Sequence, residues 1–203
     1  MNGDIYIPDC EEFRRGYESY NQLEKRGYKY FEAFNMIQNN WGDAESMARG
    51  VEILIRFWHR FFANFHFDDL VNCISRNMDI LDSYRGRNIN SLNDNDDNSI
   101  ENLFNEFLHA LRRIKDNQKS PVSVAKALSP IATHFFPLWD SNIAYKYNCF
   151  YLADIAASPY IRFCKKMKFM AEQVKDCVPT NDDRSLLKRI DEFNYSKYTM
   201  HWI

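Results

Sequence analysis

Residues 122–143 read VSVAKALSPIATHFFPLWDSNI: an apolar helical run, a short turn containing Pro137, and one Asp ahead of the next helix. The run starts behind Ser120-Pro121. Ser is a good helix cap, and Pro is tolerated at the first helical position, where a missing N–H costs nothing. Asp140 is equally well suited to cap the helix that opens SNIAYKY, because its carboxylate can accept from the first free backbone N–H groups. Taken alone, capping explains it.

Outward from this stretch the pattern stays helical. Met47, Val51, Leu54, Ile55, Trp58, Phe61, Phe62 and Phe65 recur at steps of three and four, which predicts one long amphipathic helix over 43–65 with these rings in the core. Ile100, Leu103, Phe104, Phe107, Leu108, Leu111 and Ile114 predict another, opened by Asn98 and Glu101 at capping-box-like spacing. Further helices are expected after Asp140, after Ser158-Pro159 and over 182–192. No alternating strand or hairpin dipeptide stands out. The expected class is all-α, with residues 1–203 as a single domain. The Asn/Asp-rich segment RGRNINSLNDNDDNS, 85–99, is expected to be a solvated, mobile loop between two helical lobes.

Composition narrows the function. With 45% hydrophobic and 16% aromatic residues among 203, the chain can bury a substantial core and is not disordered. A formal net charge of -2 supplies no general attraction to nucleic acid, so such a partner would need a local basic face. The five cysteines, Cys10, Cys73, Cys149, Cys164 and Cys177, are odd in number, widely spaced and never form CxxC. They are expected to be core thiols in a reducing compartment, with neither a disulfide framework nor a metal site. No signal peptide or run of about 18 apolar residues is visible, so an intracellular chain without a membrane span is expected.

Two motifs carry a family resemblance. Ser123-Val124-Ala125 precedes the turn Phe136-Pro137-Leu138-Trp139-Asp140, with 17 residues from Ser123 to Asp140; and MIQNNW, 36–41, leads into the helix ending FWHRFFANF. Together they resemble the helix-hairpin-helix DNA glycosylase superfamily, most closely the adenine DNA glycosylases, over roughly residues 30–80 and 100–150. The resemblance implies a two-lobed helical bundle with a cleft and a base-excision activity without a cofactor. Asp140 would stabilise an oxocarbenium-like sugar and orient water. Ser123 would stand where the lyase members carry a nucleophilic Lys, so a monofunctional N-glycosidic hydrolase is expected, with no trappable covalent adduct. A three-residue shift of the alignment puts Lys126 in the nucleophile's place.

The departures shape the partner expected. Lys119-Ser120-Pro121-Val122 lacks the glycines of the family hairpin, and Phe34 stands about where the adenine enzymes carry their base-protonating Glu. Adenine specificity is therefore not expected. Phosphate contact would fall to the Val122 and Ser123 N–H groups with Lys119 nearby, while Gln38, Asn39, Asn40, Trp41 and His134 would border the DNA or the extruded base. Arg162, Lys165, Lys166 and Lys168 form a small basic stripe, solvated by default. DNA binding, if present, is expected to be weak and salt-sensitive; a nucleoside is the other substrate. His134 has no partner at ligand spacing, so no metal is expected. The rival reading is a non-catalytic helical module that binds nucleic acid or protein. The aromatic tail FNYSKYTMHWI is expected to dock on the body.

Overall fold

A computed structural model of the chain describes residues 5–179 and 183–203. All the regular elements among these residues are helical, and the one β-like pairing is a single bridge between Phe65 and Arg113. The helices are α1 (Cys10–Leu23), α2 (Tyr28–Asn39), α3 (Ala44–Trp58), α4 (Phe67–Arg76), α5 (Met78–Arg85), α6 (Asp97–Ala110), α7 (Pro121–Ile131), α8 (Ser141–Lys146), α9 (Ala157–Val174) and α10 (Leu186–Asn194). A π-helical turn, Tyr195–Thr199, continues α10. The sequence-predicted start at 182 lies outside the described residues; α10 begins after Ser185, whose hydroxyl accepts from the Lys188 N–H.

The deciding stretch forms the centre of the molecule. All eleven residues of α7 are buried, and α2, α3 and α6 pack around it, which is why the run is apolar on every side. Its start is the one expected, with Ser120 Oγ accepting from the Ser123 N–H at 3.2 Å. Two glycines allow neighbouring helices to approach closely. A Cβ on Gly50 of α3 would lie 2.6 Å from Ile37 Cγ1 of α2, and one on Gly16 of α1 would lie 2.4 Å from Phe193 Cδ2 of α10.

Several expectations need correction. The helix predicted over 43–65 ends at Trp58, because His59 leaves helical geometry at φ -149° and ψ 49°. Phe61 then swings outward and is 67% exposed, with the Arg113 guanidinium 3.8 Å from its ring centre. The capping box forms at Asn93 and Asp96 instead of Asn98 and Glu101. The segment 85–99, expected to be a solvated, mobile loop, does expose Gly86, Asn88, Asn90, Ser91 and the residues 93–95, but it holds two 3-10 turns and is anchored to the body. Ile89 and Leu92 are buried, the Ile89 N–H reaches the His134 carbonyl at 2.8 Å, and Arg87 pairs with Asp96 at 2.6 Å. Burying these groups against α9 outweighs the polar composition that suggested a linker.

The cysteines also depart from the expectation. Cys10 and Cys177 form a disulfide between the start of α1 and the 3-10 turn after α9, across 167 residues; Cys73, Cys149 and Cys164 are buried free thiols. Their wide spacing hid a pair that only the tertiary fold brings together. The aromatic tail docks as expected, with Tyr198 edge-on to Tyr147 and Lys197 bonded to Glu12 of α1.

Candidate active site

Where α1, α3, α7, α10 and the turn before α8 converge, a pocket opens that holds about 470 Å³ of space, its mouth included. Its apolar walls are the rings of Tyr20, Trp58, Trp139 and Tyr195. Its charged groups are Glu24, Arg26, Lys126, Asp140 and Asp191. Lys126 enters from the second turn of the central helix, and Asp140 from the Pro137 turn that ends the deciding stretch.

Lys126 is the unusual group. The side chain is buried, its Nζ donates to the Trp58 carbonyl at 2.8 Å, and among the described residues it forms no ion pair. Burial pushes its pKa down from 10.5 to about 8, against the opposing pull of the Asp140 and Asp191 charges, while Arg26 adds to the lowering. His59, whose Nε2 lies 3.1 Å from Ser120 Oγ, is pushed down to about 4 by burial and then by the Lys126 charge.

The pocket carboxylates are each engaged elsewhere. Asp140 Oδ1 accepts from the Ile143 N–H at 2.8 Å, the cap hydrogen bond foreseen in the sequence, and Oδ2 accepts from the Thr199 hydroxyl of the docked tail at 2.7 Å. Asp140 thus caps α8 and faces the pocket at once. Glu24 pairs with Arg26 at 3.0 Å and accepts from the Tyr195 hydroxyl at 3.3 Å. Asp191 pairs with Lys188 at 2.6 Å.

The other sequence-predicted residues lie apart from this pocket. Ser123 is fully buried in α7 and its Oγ has no partner among the described residues, so it cannot touch a substrate in this arrangement. Val122 is buried beside it, and Lys119 pairs with Asp154 at 2.6 Å. Gln38 donates to the carbonyls of Pro130 and Ile131, at 3.0 and 3.1 Å, and accepts from Arg85 at 2.9 Å. Asn40 bonds back to the Met36 carbonyl, Trp41 donates to Asp82, and Asn39 and His134 are exposed. In the basic stripe, Lys165 pairs with Asp94 and Asp97, and Lys168 donates to the Leu92 carbonyl.

No family model, curated protein or solved structure matches the chain. What the pocket does has to follow from its own chemistry. Sequence reasoning missed Tyr20, Glu24, Arg26 and Asp191, which sit in polar surface-like patterns on α1, the turn after it and α10; only the aromatic tail signalled that this end of the chain would cover something. Among the described residues there is no group of three or more His, Cys, Asp or Glu able to hold a metal ion, and no helix is long and apolar enough to cross a membrane.

Proposed function

We propose that this pocket cleaves the N-glycosidic bond of a modified or damaged base in DNA or a nucleoside, on a two-lobed bundle of the helix-hairpin-helix glycosylase type. The observation that carries the reading is the presence in one pocket of a buried amine and a carboxylate, Lys126 and Asp140, both drawn from the stretch that resembles that superfamily. A pKa of about 8 leaves about a tenth of the amine unprotonated at pH 7, against about one part in three thousand for an ordinary lysine.

In this reading the three-residue shift of the alignment applies and Lys126 is the nucleophile, in place of the monofunctional hydrolysis expected with Ser123 at that position. Its lone pair forms a bond to the anomeric carbon as the bond to the base breaks, and the base departs with the bonding electrons and takes up a proton. Loss of the second amine proton and opening of the sugar ring then give a Schiff base, which water hydrolyses. The Asp140 carboxylate stabilises positive charge building on the sugar. Tyr20, Trp58, Trp139 and Tyr195 offer faces for a planar base. Extrusion from a duplex would precede the chemistry. Because Lys119, Lys165 and Lys168 are tied to groups of the chain itself, weak and salt-sensitive DNA binding remains the expectation.

One observation favours the non-catalytic alternative: both Asp140 oxygens already have partners within the chain. Base release from duplexes carrying single damaged bases separates the two. Asp140→Asn keeps a cap acceptor and should cut release by at least about 100-fold; equal release would leave Asp140 as a helix cap.

A further inference from the structure

Lys188 has no contact with the open part of the pocket, yet its surroundings are built around its charge. Its side chain is almost completely buried, and its ammonium lies 4.6 Å from the ring centre of Tyr20, 5.1 Å from Tyr30 and 5.3 Å from Trp58. Two of those rings, Tyr20 and Trp58, also wall the pocket. The ammonium takes Asp191 at 2.6 Å and stands 3.8 Å from Glu192. Glu192 does not depend on it, being held by Arg184 at 2.6 Å and Arg189 at 3.0 Å. Asp191 is therefore the carboxylate that Lys188 governs.

We propose that Lys188 is a positioning residue for the pocket: its ring-enclosed ammonium draws the Asp191 carboxylate onto itself and so keeps Asp191 from pairing with Lys126. The inference rests on Lys126 being the reactive amine of the proposed function. Lys126 faces Asp140 from the turn before α8, Asp191 from α10, Arg26 from the turn after α1 and His59 from the end of α3, with Glu24, Tyr20 and Tyr195 around the same space. Asp140 is held by Ile143 and Thr199, and Glu24 by Arg26, whatever happens at Lys188. Asp191 alone would lose its ion-pair partner if Lys188 lost its charge, and the buried cation sharing its pocket is Lys126. Burial alone would lower the pKa of Lys188. The charges of Asp191 and Glu192 outweigh that and raise it, so its positive charge persists through the range in which Lys126 titrates.

The account predicts opposite shifts from two substitutions. Lys188→Met retains length and packing between the rings but frees the Asp191 charge to act on Lys126. Asp191→Asn removes that charge altogether. The measurement is the pH dependence of reductive methylation of Lys126 by formaldehyde and cyanoborohydride, followed at that residue by peptide mass spectrometry on the intact folded protein. The wild type should show a midpoint near 8. Lys188→Met should move it up by about one pH unit, slowing methylation at pH 7 about tenfold, and Asp191→Asn should move it down. Unshifted midpoints, or shifts of the same sign, would overturn the proposal. Should Lys188→Met fail to fold by circular dichroism, Lys188→Gln takes its place, with the same upward shift expected and an unshifted midpoint overturning the proposal. No substrate enters this experiment. Failure of the glycosylase reading would appear as absent base release with the shifts intact, whereas failure of the positioning role would appear as unshifted midpoints.

Discussion

Opening the Cys10–Cys177 bond should cost the fold a large part of its stability. The bond closes 167 residues, most of the chain, between α1 and the turn behind α9. For a loop of that length the chain-entropy account gives about 5 kcal/mol at 25 °C, an upper figure because a real unfolded chain is already partly compact. Part of the constraint is duplicated in the folded state. α1 is held to α10 by the contact of Phe13 with Phe193 and by the guanidinium of Arg189 over Tyr17, so reduction should leave α1 docked. The loss should appear as easier unfolding, with a melting temperature lower by about 10 °C for a chain of this size. The assay is urea denaturation with and without reductant, and with Cys10→Ser in place of the reductant. Thiol titration of the unfolded, unreduced chain serves as a control and should count three free thiols, rising to five after reduction. Identical urea midpoints for oxidised and reduced protein would refute the reasoning, as would five titratable thiols before reduction.

Two further substitutions probe the buried charges. Glu192→Gln removes a fully buried carboxylate from between Arg184, Arg189 and Lys188, and should destabilise the protein by about 3 kcal/mol in a denaturant titration. Lys126→Met should do the opposite at neutral pH. The folded-state pKa of Lys126, about 8, lies below the ordinary 10.5, so the folded protein carries the full cost of the buried charge below pH 8 and sheds it as pH rises to 10.5. The variant should therefore be more stable than wild type at pH 7, by about 2 kcal/mol after the lost bond to the Trp58 carbonyl is deducted, and the difference should shrink by pH 10. A lower stability of Lys126→Met at pH 7 would mean that the amine is not held at a cost.

Local signals in the sequence were faithful where local physics decides. Ser120-Pro121 starts α7 and Asp140 caps α8, because a cap needs only a side chain and the backbone three residues away. The helical class follows from periodicity for the same reason. Boundaries failed where tertiary contacts intervene: α3 stops at Trp58, whose carbonyl is claimed by Lys126, 68 residues away, and the polar 85–99 segment is pinned by Arg87, Asp96 and Lys168. The site was legible in half. Lys126 and Asp140 share one stretch of sequence, but Tyr20, Glu24 and Asp191 reach the pocket from opposite ends of the chain, and no spacing rule joins them. Along α7, a three-residue step separates the fully buried hydroxyl of Ser123 from the Lys126 amine that lines the pocket, a difference that helical spacing alone does not reveal.

The central claim is that Lys126 attacks the sugar inside this pocket, and borohydride reduction during incubation with duplex DNA containing a damaged base or an abasic site tests it most directly. A protein–DNA adduct of one-to-one mass, mapped to Lys126 and missing from folded Lys126→Met, is the predicted result. An adduct that persists in Lys126→Met would contradict the assignment of the amine, and the absence of any adduct across the damaged bases and the abasic site would contradict the chemistry itself.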